Sequence, residues 1–114
     1  DDQPAIYTVG MDGVAERADK FESLGSGSAY AEYLLAKFYR LPMTIQQAST
    51  LAVYVVEEVK KIDPGCGGAT QLVTVEACKL RRWTPEEISA LVSGISDRDK
   101  AFVEAWWASA EQNP

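Results

Sequence analysis

Three side chains in two glycine-rich turns carry most of the chemistry this sequence can offer. Ser26 lies in Leu24-Gly25-Ser26-Gly27-Ser28, and Asp63 and Cys66 lie in Asp63-Pro64-Gly65-Cys66-Gly67-Gly68. Small-residue turns at helix ends leave backbone N–H groups free for a ligand or a reacting atom. Gly25 and Gly27 suit an anion-binding nest. The stretch lacks the third glycine of a dinucleotide fingerprint and the lysine of a P-loop, which disfavours a nucleotide. The chain contains no histidine, so Cys66 has no imidazole base, which argues against an independent cysteine nucleophile. On residue types alone, Ser26 reads rather as a local turn serine at a helix start, while Asp63 equally suits a turn aspartate ahead of Pro64. The pairs Glu57-Glu58 and Glu86-Glu87 point to different faces of a helix and are solvated charges rather than an acid–base pair.

The bulk properties narrow the classes of partner. A chain of 114 residues is long enough for one core, and residues 1–114 read as a single domain. Net charge is −6. The basic clusters, Lys60-Lys61 and Lys79 to Arg82, are too short to track a phosphate backbone, so no nucleic acid is expected. No apolar run approaches the roughly 20 residues of a membrane span, so no membrane partner is expected. No signal peptide is legible. A cytoplasmic location with Cys66 and Cys78 both reduced follows. Their spacing matches no zinc pattern, and neither a metal nor a cofactor is expected. The opening Asp1-Asp2-Gln3-Pro4, without an initiating Met, suits a processed or cut chain.

The turns must be positioned by the elements around them. Ala5 to Val9 alternates as a short strand, Gly10-Met11-Asp12-Gly13 signals a turn, and Val14 to Leu24 reads as a weak, polar second strand. Ser28 suits an N-cap. Ala31, Leu34, Leu35 and Phe38 then recur on one helix face, and Leu41-Pro42 stops that helix. Thr44 and Gln47 form a capping box. Behind it Ile45, Ala48, Leu51, Ala52, Val55, Val56, Val59 and Ile62 make a regular stripe, which predicts a helix over 45–62. Pro64 and Gly65 end it. A connection of about four residues makes the two helices antiparallel. Ala69 to Val75 reads as a buried strand, Glu76 to Cys78 as a tight turn, and Lys79 to Trp83 as a return strand. Thr84-Pro85-Glu86-Glu87 starts a third helix, with Ile88, Leu91, Val92 and Ile95 on its face. Gly94 weakens it, and Ser96 with Asp99 reads as a fresh cap. Phe102, Val103, Trp106 and Trp107 carry a last apolar face, suited to core packing or to an interface anchor. The class is α+β, helices layered on an antiparallel sheet.

Taken in order, these pieces resemble the C-terminal half of a proteasome-type subunit of the N-terminal-nucleophile hydrolase superfamily. The resemblance covers roughly residues 4 to 95. It rests on Pro4-Ala5-Ile6-Tyr7 through Asp12-Gly13, and on the Gly-Ser-Gly-Ser helix start followed by Ala31 and Leu34-Leu35. Tyr39, Met43-Thr44, Gln47-Ala48 and Leu51-Ala52 continue it, as does Ile62-Asp63 through Gly67-Gly68. The closing hairpin and the Thr-Pro-Glu-Glu-Ile helix also fit.

The resemblance implies a four-layer αββα sandwich of which this chain supplies part. It implies a terminal threonine nucleophile, with an aspartate and a lysine near it, all carried by a first half not contained in these residues. Asp1 cannot play the threonine's part. The family's supporting helix-start serine maps to Ser26 and its turn aspartate to Asp63. The serine expected three residues after that aspartate is replaced by Cys66, a weaker donor and poorer acceptor. The implied function is peptide or amide hydrolysis in the complete protein or with a partner chain, this portion being inactive alone. The alternative is a non-catalytic assembly subunit. Implied partners are a missing N-terminal half, ring-type or homo-oligomeric subunits, and a peptide substrate.

Overall fold

A computed structural model describes residues 6–9 and 11–111. Pro4, Ala5 and Gly10, assigned above to the first strand and its turn, lie outside the described residues, as does Asp1. The element order is β1 (Tyr7–Val9), β2 (Ala15–Arg17), α1 (Ser28–Phe38), α2 (Ile45–Ile62), β3 (Val73–Glu76), β4 (Lys79–Arg82) and α3 (Pro85–Glu111). The fold is α+β. Its strands form two separate antiparallel ribbons, β1-β2 and β3-β4, rather than one sheet among the described residues.

The first ribbon pairs Tyr7 with Arg17 and Val9 with Ala15. Its turn uses Gly13 at φ +82° and an Asp12 carboxylate that accepts the Val14 N–H at 3.0 Å. The second strand is shorter than the expected span of Val14 to Leu24. The charges at Asp19, Lys20 and Glu22 find no partner strand, and the ladder ends with the Ala18 N–H on the Ile6 carbonyl. The second ribbon turns at Ala77 and Cys78, both at positive φ (51° and 63°), as a two-residue hairpin requires. It was expected to be buried, yet Val73 and Val75 are 45 % and 64 % exposed, because nothing in the described chain packs over them.

α2 keeps its predicted bounds, and both halves of the capping box are present: the Gln47 N–H on Thr44 Oγ1, and the Thr44 N–H on Gln47 Oε1. α1 corrects an expectation. Its cap is Gly27, not Ser28, which is the first helical residue and makes no side-chain cap. α3 corrects another, running unbroken through Gly94 and the supposed fresh cap at Ser96. A mid-helix glycine costs only about 1 kcal/mol, which burial of Ile88 and Ile95 outweighs.

α2 is the centre of the packing, with α1 and α3 against it. Ala31 and Leu34 of α1 meet Val55 and Val59 of α2 in the main cluster. Ser49 and Val53 are buried on another part of α2, and α3, which packs against α2, buries Ile88 and Ile95. Between the two covered faces runs a stripe holding Ile45 and Val56, which are 40 % and 43 % exposed. The chain exposes 9078 Å², against about 6,200 Å² for a folded monomer of its mass. Its radius of gyration is 16.7 Å, where a compact domain of 100 residues has about 13 Å.

Candidate functional site

The antiparallel packing of α1 and α2 sets the start of one helix beside the end of the other, and so brings the two glycine-rich turns together. α2 ends because Asp63 turns to extended backbone (φ −106°, ψ 108°), its N–H still bonded to the Val59 carbonyl. Pro64 cannot continue the ladder. The Asp63 side chain then folds over its own turn, Oδ1 accepting the Gly65 N–H at 2.8 Å. The Cys66 N–H returns to the Asp63 carbonyl at 3.0 Å. This leaves Oδ2 facing α1, where it accepts the Ser26 hydroxyl at 2.9 Å. Ser26 Oγ also lies 3.8 Å from Cys66 Sγ. The three residues singled out in the sequence thus form one cluster, 37 and 40 positions apart along the chain.

Two glycines make the approach possible. Gly25 has φ +103°, a conformation that L side chains rarely adopt. Gly27 faces α2 so closely that an added Cβ would stand 2.3 Å from Val59 Cγ1 and 3.2 Å from Cys66 Sγ. Cys66 is half-buried against the α1–α2 cluster.

The Gly65 N–H, then the Ser26 hydroxyl, hold the Asp63 carboxyl below the usual aspartate range; partial burial opposes them, and the Cys66 thiol adds a smaller lowering. Asp63 is therefore a firm carboxylate and a poor general base. Ser26 has committed its single proton to that carboxylate, so it presents lone pairs outward rather than an activated nucleophile. The cluster is acceptor-rich, and its chemistry suits holding a donor such as an ammonium or an N–H. Among the described residues no group of three Asp, Glu, Cys or His side chains is placed to hold a metal ion.

One part of the neighbourhood escaped the sequence reading. Lys60 Nζ donates to the Gly68 carbonyl at 2.9 Å and to Thr70 Oγ1 at 2.7 Å, and pairs with Glu57 Oε1 at 3.0 Å. Thr70 Oγ1 donates to the same Glu57 oxygen at 2.6 Å. Partial burial raises the Glu57 pKa, but these bonds from Thr70 and Lys60 outweigh it and leave the carboxyl below its ordinary value. The clip ties the loop after Cys66 to the last turns of α2. The spacing of Glu57 and Lys60 on one helix face was its only sequence signal.

The geometry now has a context. The family model described as "Proteasome subunit" matches residues 1–75, and the chain belongs to that family. It is 31 % identical over 93 residues to proteasome subunit beta 1 of Thermococcus kodakarensis, covering 81 % of this chain and 45 % of that protein. It is 36 % identical over 72 residues to proteasome subunit beta 1 of Pyrobaculum calidifontis, covering 63 % of this chain and 35 % of that protein. To the proteasome subunit beta of Methanosarcina barkeri it is 28 % identical over 92 residues, covering 81 % and 44 % respectively. The chain thus spans less than half the length of these curated relatives. No helix among the described residues is long and apolar enough to cross a membrane.

Proposed function

We propose that this chain is the C-terminal portion of a divergent proteasome-type N-terminal-nucleophile hydrolase. The complete protein, or this chain joined by a partner carrying the first half, cleaves peptide or amide bonds; alone the chain is inactive. The observation that carries the reading is the Ser26–Asp63–Cys66 cluster, a preformed set of acceptors where the start of α1 meets the end of α2. Its role is to orient the terminal amine of a nucleophile supplied from outside, so that the amine takes the proton from the attacking hydroxyl. The chain forms one domain, contributing the outer helical layer and edge strands of a four-layer αββα sandwich. The uncovered stripe around Ile45 and Val56, and the exposed ribbon residues Val73, Val75 and Leu80, are the surfaces the remaining strands would cover. A cytoplasmic, oligomeric assembly fits the family.

Cys66 supports a second reading. A thiol 3.8 Å from Ser26 Oγ orients its neighbour more weakly than a hydroxyl would, which fits a subunit retained for assembly alone. The two separate in one experiment. The protein encoded with its upstream residues is assayed on fluorogenic peptides, with and without a covalent threonine-reactive inhibitor, beside its Cys66→Ser variant. Inhibitor-sensitive hydrolysis supports the catalytic reading. No hydrolysis by either protein, with a normal assembly mass, supports the structural one. An upstream segment lacking a Thr-, Ser- or Cys-led strand sinks the hydrolase proposal.

A further inference from the structure

The last turns of α3 are apolar nearly all round. From Ala101 to Ala110 the only charged residue is Glu104, and all ten positions are exposed. Phe102, Val103, Trp106 and Trp107 stand 65 %, 53 %, 63 % and 62 % exposed. A helix with so little polar surface is ordinarily wrapped by other protein. The segment prolongs the face by which α3 buries Ile88 and Ile95, but its large apolar side chains are left exposed among the described residues. It also lies outside residues 1–75, the part matched by the family model.

Beside the segment runs a groove of about 760 Å³ between α1 and α3. Leu51, Tyr54, Leu91 and Ile95 supply apolar lining, and Phe102 belongs to both groove and segment. Three cations, Lys37, Arg40 and Arg98, line it against one carboxylate, Asp99. The groove therefore suits an apolar helix carrying a negative charge, which describes the segment itself. Segment and groove are adjacent on one molecule, so a two-fold axis can satisfy both at once, in an isologous pair.

We propose that two copies of this chain pair through α3, each laying residues 101–110 in the other's groove. Three aromatics of about 150–250 Å² each, nearly two-thirds exposed, offer roughly 300–450 Å² per copy. Two such segments and the two grooves that receive them exceed the ~1,000 Å² that a specific interface requires. The cations of each groove meet Glu104 of the other copy. This pairing is separate from the hydrolase reading and survives its failure.

The test is sedimentation equilibrium of the 114-residue chain at 0.15 M salt, with far-UV circular dichroism as the fold control. The wild type sediments as a dimer at tens of micromolar. Trp106→Glu with Trp107→Glu weakens association at least 100-fold at unchanged helicity. Arg40→Glu with Arg98→Glu weakens it at least 10-fold, and adding Glu104→Lys restores it. A wild type monomeric at 200 µM overturns the proposal, as does a tryptophan variant that still dimerises. Where the tryptophan variant loses helicity, the charge exchange decides, and failure of Glu104→Lys to restore association overturns the pairing.

Discussion

Gly27→Ala sets two effects of known sign against each other. Gly27 sits at φ −91°, ψ 7°, which any residue adopts. Stiffening the unfolded chain there should stabilise by about 0.4–1 kcal/mol. Against this, the new Cβ stands 2.3 Å from Val59 Cγ1, where carbon contacts settle near 3.5–4.0 Å. Val59 is 7 % exposed and β-branched on a helix, so it has essentially one rotamer and cannot swing aside. The start of α1 must lift by more than about 1 Å, at a cost of about 1–3 kcal/mol for overpacking. The clash wins, for a net loss of about 1–2 kcal/mol and a Tm lower by several degrees. Lifting α1 also pulls Ser26 from Asp63 and exposes Cys66. Urea denaturation of Gly27→Ala, Val59→Ala and the double variant measures the coupling. Val59→Ala alone costs about 1.5 kcal/mol for two buried methyls, and in its background Gly27→Ala becomes neutral or stabilising. Iodoacetamide labelling in a Cys78→Ser background reads the opening at Cys66. Full wild-type stability in Gly27→Ala, or the same cost with and without Val59, would refute the packing argument.

Three further outcomes follow from the same geometry. The Asp63 carboxyl is lowered in the folded chain, so the stability it contributes is whole above the unfolded value of about 3.9 and is lost as pH falls through the lower folded pKa; a carboxyl ¹³C titration should find a midpoint below 3.9 that rises in Ser26→Ala, and a midpoint at or above 3.9 contradicts the hydrogen-bond account. Lys60→Met removes the bonds to the Gly68 carbonyl and Thr70 Oγ1, so amide exchange over residues 67–70 should quicken at a stability cost of about 1 kcal/mol; unchanged exchange means the clip does not hold the loop. Ser49 is 2 % exposed and its Oγ has no partner among the described residues, so Ser49→Ala should raise the urea midpoint by about 1 kcal/mol of stability at constant m.

What the sequence disclosed depended on how local the cause was. α2 was legible to its ends because a capping box, a 3.6-residue stripe and a proline stop all act within one segment. The two turns were legible because glycine and Asx chemistry mark them, and with them Ser26, Asp63 and Cys66. Burial around α2 was not legible. The stripe includes Ile45, Val56 and Ile62, all exposed, and omits Val53, which is 1 % exposed. A central helix with two neighbours buries two faces, and a single periodicity cannot assign them. Gly94 misled for a related reason. Its propensity is local, but the burial of Ile88 and Ile95 that carries α3 through it is tertiary. The Lys60 clip joins a helix to a loop carbonyl, and a backbone oxygen leaves no mark in a sequence.

Among the exposed apolar residues, two groups fall on either side of the bound of the family match. The stripe of α2 and the ribbon residues Val73 and Val75 fall within the family match at residues 1–75. Under the proposed sandwich they are the surfaces that a first half would cover, and the chain spans less than half the length of its relatives. The α3 segment falls outside that match, and sandwich completion gives no reason for it to be apolar on nearly every side. Supplying a first half should therefore cover the stripe and leave Trp106 and Trp107 exposed unless a second copy is present. Tryptophan emission separates the two events: a blue shift that depends on chain concentration but not on the first half belongs to α3 alone.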